Sequence, residues 1–137
     1  MERMEILLVE DNAGDAVLIR QVLTDTATVS VNLHIARDGE QAITMLRDAH
    51  FRPSLIILDL NIPRIPGSSL LELWKTIGIP VVVFSSTSSP SEQARALALG
   101  AREFIQKPNE IDAFIRAVCE MVKRYSGPSK AVGGACA

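Results

Sequence analysis

At 137 residues, the chain is long enough for one domain with a substantial core and short for two. Hydrophobic residues make up 47% of the sequence and charged residues 22%, which is typical of a globular protein, and the net charge of −2 is too small to indicate nucleic acid or a membrane surface as a partner. No apolar run reaches the ~20 residues of a membrane span, and the N-terminus lacks the apolar stretch of a signal peptide. We therefore expect a cytoplasmic protein whose binding depends on a local site.

The first two strands and the helix between them are predicted from patterns near the N-terminus. Residues 5–9 (EILLV) form an apolar run typical of a buried strand, and the acidic pair Glu10 and Asp11 follows it. Asn12 is a suitable N-cap, with Asp15 three residues on, for a helix in which apolar residues recur at helical spacing up to Leu23. Residues 31–35 alternate apolar and polar side chains, which predicts a half-covered strand nearer the edge of a sheet.

The second helix and the central strand come next. Asp38 and Gln41 stand at the N-cap and N3 positions of a capping box. Four apolar residues are predicted to share the inner face of this helix: Ala42, Ile43, Leu46 and Ala49. Residues 55–58 (LIIL) contain no polar side chain, which predicts a strand buried on both faces, and Asp59 ends it. Because a buried aspartate is costly without partners, Asp59 indicates a site.

The third helix is predicted to begin at Ser68 or Ser69, after a loop whose prolines and glycine exclude a regular element. Glu72 is expected in its first turn and Gly78 at its end. Its inner face is predicted to carry Leu70, Leu71, Trp74 and Ile77.

The fourth strand and helix follow the same alternation. Residues 80–84 (PVVVF) predict another buried strand, and Ser85 begins a run of five hydroxyl side chains after it. Ser89 and Pro90 have the residue types of a helix N-cap and N1 position. The inner face of this helix is predicted to carry Ala94, Leu97 and Ala98.

The last strand and helix complete the predicted domain. Residues 103–106 (EFIQ) predict a short fifth strand, which Lys107 and Pro108 end. Asn109 is expected to cap the final helix, whose apolar face continues to Tyr125. We expect the domain to cover residues 1–125 and the Gly-rich tail 126–137 to be flexible.

Five strands, of which the first, third and fourth are continuous apolar runs, alternate with five helices, and this pattern predicts an α/β fold with a doubly wound parallel sheet. In its flavodoxin-like (βα)5 form, the strand order is 2-1-3-4-5, which places the first and third strands side by side. Glu10, Asp11 and Asp59 would then meet at the carboxyl edge of the sheet. Ser85 and Lys107 follow the neighbouring fourth and fifth strands.

This set of residues predicts a metal-assisted phosphoryl site. Three converging carboxylates repel one another and favour a cation, and a set of oxygen ligands suits Mg²⁺ better than Zn²⁺. A lysine ammonium and a serine hydroxyl would bind further phosphoryl oxygens, which leaves Asp59 as the natural nucleophile.

The sequence closely resembles the receiver domains of two-component response regulators, especially the single-domain, chemotaxis-type kind. The matching residues, in order and with the correct spacing, are Glu10-Asp11, Asp59 with Asn61 and Pro63, Gly67, Ser85, Phe104 and Lys107-Pro108. Two segments, Glu10-Asp11-Asn12 with Gly14-Asp15 and Arg37-Asp38-Gly39, also resemble the regulators that accompany bacterial phytochrome kinases.

This resemblance implies a phosphorylation-dependent signalling switch. Asp59 would accept a phosphoryl group from a sensor histidine kinase. Mg²⁺ would be held by Asp11, Asp59 and the backbone carbonyl of Asn61, with Glu10 contributing to the metal site largely through water. Ser85 and Lys107 would contact the phosphoryl group. Phe104 would then rotate and change the surface of the fourth helix, fifth strand and fifth helix, which a downstream protein or a second copy of the chain could bind.

Three alternatives remain open from the sequence. The chain could be a receiver module of a longer response regulator or hybrid kinase. A flavodoxin-like electron carrier shares the fold, but the acidic residues Glu10 and Asp11 would repel the phosphate of a flavin cofactor. A hydrolase with an aspartyl-phosphate intermediate usually has a second aspartate two residues after the nucleophile, where this chain has Asn61. We therefore expect a phosphoacceptor regulator and no enzyme that turns over an external substrate.

Overall fold

A computed structural model describes residues 3–25, 30–86 and 89–126 of the chain. Within these ranges five strands alternate with five helices: β1 Met4–Val9, α1 Ala13–Asp25, β2 Val31–Ala36, α2 Gly39–Arg47, β3 Leu55–Leu58, α3 Gly67–Leu73, β4 Val81–Ser85, α4 Pro90–Ala98, β5 Glu103–Gln106 and α5 Ile111–Tyr125. The tail that the sequence predicts to be flexible lies, beyond Ser126, outside the described residues.

The strands form one parallel sheet in the order β2-β1-β3-β4-β5, which confirms the predicted fold. The register decides which side chains meet where the strands end. Val9 of β1 is aligned with Leu58 of β3, so the next residues, Glu10 and Asp59, leave the sheet side by side. Leu58 is also aligned with Val83 of β4, which brings Ser85 close to the same point.

Two apolar cores cover the two faces of the sheet. On one face α1 and α5 pack on β1, β3 and β4, and the rings of Phe84 and Phe114 lie 5.2 Å apart, centroid to centroid. On the other face α2, α3 and α4 pack around side chains that include Trp74. The central strand β3 is buried along its whole length, as predicted, whereas β2 and β5 are half-buried edge strands. None of the helices in the described ranges is long and apolar enough to cross a membrane.

Two predicted helix caps are confirmed by their hydrogen bonds. The Oδ1 atom of Asn12 accepts from the backbone N–H of Asp15 at 2.9 Å, at the start of α1. The Oδ1 atom of Asp38 accepts from the backbone N–H of Gln41 at 2.8 Å, at the start of α2. Each bond satisfies a backbone N–H group that has no partner within its helix.

The caps predicted for α4 and α5 are corrected by the structure. Ser89 occupies the N-cap of α4, but its hydroxyl pairs with that of Ser91 at 2.9 Å and makes no bond to the backbone of the helix. Glu110, rather than Asn109, occupies the N-cap of α5, because the helix begins one residue later than the sequence predicts. Its backbone carbonyl accepts the first helical bond, from Phe114 N–H at 2.9 Å.

Helices α2 and α3 are shorter than predicted. Helix α2 ends at Arg47, so Ala49 is exposed and takes no part in an inner face. Helix α3 starts at Gly67 and ends at Leu73, so the exposed Glu72 lies near its end instead of in its first turn. After Trp74 the backbone bonds span three residues, as from Ile77 N–H to the carbonyl of Trp74, and these turns replace the α-helix.

The predicted inner face of α4 is wrong. Ala94 and Ala98 are exposed and Leu97 is 49% exposed, whereas Ala96 is buried and Leu99 is half-buried. Alanine and leucine occupy every position from 96 to 99, so apolar side chains lie on all sides of the helix. Periodicity therefore could not decide which side packs on the sheet.

Candidate functional site

Asp59 is a buried carboxylate whose two oxygens have different partners. Its backbone N–H donates to the carbonyl of Val9 at 3.0 Å, which extends the β1–β3 pairing by one residue. The Oδ1 atom accepts from the hydroxyl of Ser85 at 3.1 Å and from the backbone N–H of Asn61 at 2.9 Å. The Oδ2 atom accepts from the Nζ of Lys107 at 2.8 Å. These bonds hold the carboxylate in place at the edge of the sheet.

Among the contacts of Asp59 described above, the ammonium group comes from Lys107. Its backbone N–H donates to the carbonyl of Ser85 at 2.8 Å, so the residue continues the β4–β5 pairing. Its buried Nζ donates to carboxylate oxygens of Glu10, Asp15 and Asp59, each at 2.8 Å. Burial alone would lower the pKa of Lys107, but hydrogen bonds to Asp15, Asp59 and Glu10 outweigh burial and raise the pKa above its ordinary value. All three N–H donors of the ammonium are therefore used.

Glu10 is more deeply buried than any other carboxylate of the site, at 1% exposure. Its Oε1 accepts from Lys107, and its Oε2 accepts from the backbone N–H of Asn12 at 3.1 Å. Burial raises the pKa of Glu10 to about 7, and the nearby charge of Asp59 adds to the rise, while the bond from Lys107 opposes it. Burial thus disfavours the charged form of Glu10, and a cation beside it would favour the ionised form.

Glu10, Asp11 and Asp59 converge as the sequence predicts. One oxygen from each lies within 4.8 Å of the other two, and Asp11 is exposed to solvent while its two neighbours are buried. These donors are all hard oxygen atoms, with an open side toward water, and such a set suits Mg²⁺ better than a metal that prefers His or Cys ligands. The residues present therefore fit a Mg²⁺ site.

Two further predicted residues, Asn61 and Phe104, lie around the site in different ways. The backbone N–H of Asn61 donates to Asp59. Asn61 itself is exposed and lines a cleft of about 220 Å³ between α3 and α4. Phe104 does not touch Asp59 in the contacts that the structure records. It is half-buried on β5, aligned with Val83, and packs against the core that includes α4. Phe104 thus lies on β5, three residues before Lys107, which follows the end of that strand.

Asp15 is a member of the site that the sequence analysis missed. The sequence pattern assigned Asp15 to the helix cap and gave it no role at the site, and that capping bond is present. Its side chain, 30% exposed, nevertheless also accepts from Lys107 at 2.8 Å. The available signal was its location in the first turn of a helix that starts just after the acidic pair. A cleft of about 340 Å³, lined in part by Asp15, Leu18 and Lys107, opens on this side.

Comparison with known families decides what kind of domain carries this site. The chain matches the family described as "Response regulator receiver domain" over residues 6–119, which is most of its length. The chain belongs to the response regulator receiver domain family. Receiver domains act in phosphorylation-dependent two-component signalling, take phosphoryl groups from histidine kinases and bind Mg²⁺ at an acidic pocket.

Curated relatives of this receiver domain are longer proteins. The chain is 32% identical over 131 residues to "Probable transcriptional regulator ycf27" of Porphyridium aerugineum, an alignment that covers 92% of the chain and 52% of that protein. It is 33% identical over 111 residues to "Protein-glutamate methylesterase/protein-glutamine glutaminase 3" of Geobacter sulfurreducens, which covers 80% of the chain and 29% of that protein. The chain therefore spans about half or less of the length of these relatives.

Solved structures of similar length resemble the receiver domain more fully. The phosphorylated cyanobacterial phytochrome response regulator RcpA matches with a TM-score of 0.86 and 30% identity, over 92% of this chain and 96% of that one. The Mn²⁺-bound form of response regulator Rcp1 matches with a TM-score of 0.83 and 28% identity, over 96% and 98%. The predicted likeness to phytochrome-associated regulators is thus present in sequence and in fold.

Proposed function

We propose that Asp59 accepts a phosphoryl group from the phosphohistidine of a sensor histidine kinase and that the chain acts as the resulting signalling switch. The observation that carries this proposal is the Asp59 carboxylate itself. It is buried at a sheet edge, held by Ser85 and Lys107, and lies within a cluster of carboxylates that fits a divalent cation. An aspartate with only a structural role would be disfavoured by the neighbouring carboxylates, because like charges repel.

The chemistry that these groups can perform is an in-line transfer. An oxygen of Asp59 forms a bond to phosphorus as the bond from phosphorus to the histidine nitrogen breaks, and that nitrogen keeps the bonding electron pair. Lys107 and Ser85 supply an ammonium and a hydroxyl within reach of the acceptor, where they can bind phosphoryl oxygens. Glu10, Asp11, Asp59 and the carbonyl of Asn61 would hold Mg²⁺, which neutralises charge on the phosphoryl oxygens.

The output surface in this proposal is formed by α4, β5 and α5. Ser85 ends β4 and Lys107 follows β5, so two groups that bind the phosphoryl oxygens sit at the ends of neighbouring strands. Phe104 lies on β5 and packs toward α4. A shift of the strand ends would therefore change how Phe104 packs, and with it the surface that a downstream protein or a second copy of this chain binds.

Several finer features belong to the same proposal. The domain spans residues 1–125, and the chain is a phosphoacceptor regulator that catalyses no reaction of an external substrate.

The likeness of the chain to RcpA favours a kinase of the bacterial phytochrome kind as its phosphoryl donor. The greater length of the curated relatives also fits the alternative that the chain is one module of a longer regulator. The protein is proposed to work in the cytoplasm, where histidine kinases expose their phosphohistidine.

Intact-mass measurement after incubation with acetyl phosphate tests the proposal. We expect a phosphoryl adduct in the presence of Mg²⁺ and none when the metal is removed with a chelator, because the acidic cluster needs a cation to accept a further anionic group. Asp59→Asn should abolish the adduct. Asp25→Asn, which removes a carboxylate at the far end of α1, should leave it unchanged. The same adduct on the Asp59→Asn protein would refute the assignment.

A further inference from the structure

Lys107 has three carboxylate partners, and only one of them takes no other part in the proposed chemistry. Asp59 is the acceptor, and both Asp59 and Glu10 belong to the cluster that fits a divalent cation. Asp15 is outside that cluster, yet its Oδ2 is as close to the ammonium as the other two carboxylates are. Asp15 is therefore the one carboxylate partner of Lys107 that is neither a proposed metal ligand nor the proposed phosphoryl acceptor.

A divalent cation would compete with Lys107 for the same carboxylates. The ammonium already lies 2.8 Å from an oxygen of Glu10 and 2.8 Å from an oxygen of Asp59. A cation between these two residues and Asp11 would stand close to the ammonium, and two positive charges at such a distance repel strongly in a poorly solvated site. Lys107 can remain in the site only if another negative charge continues to bind it.

Asp15 is built to supply that charge. The bond from its own backbone N–H to the side chain of Asn12 fixes it in the first turn of α1. Its carboxylate is 30% exposed, beside the open cleft on this side of Lys107, so water continues to solvate its charge. Its contact with Lys107 can thus persist while Glu10 and Asp59 turn toward a metal.

We propose that Asp15 is a positioning residue for Lys107, which keeps the ammonium in the site when Glu10 and Asp59 bind a divalent cation. Asp15 would thereby promote metal binding although it is no ligand of the metal. The inference deepens the proposed function and rests on it for its biological meaning, but its contact, charge and test concern metal binding alone.

Titration with MgCl₂, followed by the amide NMR spectrum of the protein without any phosphoryl donor, tests the inference and also reports whether each variant is folded. Asp15→Asn keeps the shape of the side chain and removes its charge, and we expect it to weaken Mg²⁺ binding roughly threefold to tenfold. Asp15→Glu should restore the affinity to within about twofold of the parent protein. Asp25→Asn is the matched control, since it removes one charge from the same helix away from the site, and it should change the affinity less than about twofold.

The Lys107→Ala background separates positioning from simple attraction between Asp15 and the metal. If Asp15 acts through the lysine, Asp15→Asn should change Mg²⁺ affinity less than about twofold once Lys107 is absent. An equal loss in both backgrounds, or a loss no greater than that of Asp25→Asn, would overturn the inference. Should Lys107→Ala fail to fold, the three single substitutions still test the inference, because a loss in Asp15→Asn no greater than that in Asp25→Asn would overturn it. An absence of any phosphoryl adduct on Asp59 would count against the proposed function and leave this result standing.

Discussion

Glu10 shows how strongly burial governs the charge of this site. Its carboxyl is 1% exposed, and burial raises its pKa to about 7 from an ordinary value of 4.5. The folded protein therefore binds the proton of Glu10 more tightly than the unfolded chain does. The stabilisation that results is fully present below about pH 4.5 and is lost as the pH rises to about 7.

The free energy of unfolding of the metal-free protein should accordingly fall as the pH rises from 5 to 8. We expect Glu10 to account for a decrease on the order of 2 kcal/mol across this range. Urea denaturation at a series of pH values, with a chelator present, measures it. Glu10→Gln should flatten the profile, whereas Glu40→Gln, which changes an exposed carboxylate at the start of α2, should retain it. A slope that persists unchanged in Glu10→Gln would show that another group titrates.

The meeting of Glu10, Asp11, Asp59, Ser85 and Lys107 was predictable because all five follow directly from the ends of apolar strands. Once a parallel sheet in the order 2-1-3-4-5 is assumed, strand ends share one edge, and no side-chain detail is needed. Asp15 could not be predicted in the same way. Its role as a partner of Lys107 depends on how α1 leaves the sheet, and its sequence position already had a sufficient explanation in the helix cap.

The loop after the acceptor is packed closely between two helices. A Cβ atom at Gly67 would lie 2.7 Å from the Cα of Leu60, and one at Gly39 would lie 2.7 Å from the Cβ of Ile65. Arg64, between these contacts, has a φ of 78° and lies 3.6 Å from carboxylate oxygens of Asp38 and Glu40. The loop that follows Asp59 therefore packs against the start of α2 and the start of α3.

Gly67→Ala should destabilise the protein because the new methyl group would meet backbone atoms, which cannot move aside as a flexible side chain could. We expect a loss of about 1–3 kcal/mol in the free energy of unfolding, measured by urea denaturation. Gly14→Ala is the matched control within α1, where the nearest atom is a side-chain oxygen at 3.3 Å, and it should change stability by less than about 1 kcal/mol. Equal effects of the two substitutions would mean that close packing against Leu60 is not the reason for Gly67.

The buried faces of the helices were less predictable than the existence of the helices. Helix α4 illustrates the reason, because alanine and leucine at positions 96–99 present apolar atoms on every side. Its orientation is decided by the space beside the sheet, where only Ala96 is buried. The strands were easier, since β1, β3 and β4 are covered on both faces and must be apolar throughout.

The sheet connects the acceptor to the distant surface of the molecule through two adjoining strands. Ser85 ends β4 and binds Asp59, and Lys107 follows β5 and binds the other oxygen of Asp59. Beyond them, α5 is joined to β5 by hydrogen bonds from Tyr125 and Arg124 to the carboxylate of Glu103. Under the proposed function, a change at the acceptor would reach β5 and its neighbours through these contacts.

Lys107→Ala should uncouple phosphorylation from this wider response. The acceptor, Ser85 and the carboxylates that fit Mg²⁺ remain in the variant, so a phosphoryl adduct on Asp59 should still form, whereas no ammonium is left to draw the end of β5 toward the phosphoryl group. Hydrogen exchange with and without acetyl phosphate, at matched degrees of adduct formation measured by intact mass, checks this. We expect altered exchange in α4 and β5 of the parent protein and little change in the variant.

Lys123→Ala, which removes an exposed ammonium from α5, is the control and should respond as the parent does. If Lys107→Ala showed the parent response at equal adduct, Ser85 alone would carry the signal from Asp59 to the surface.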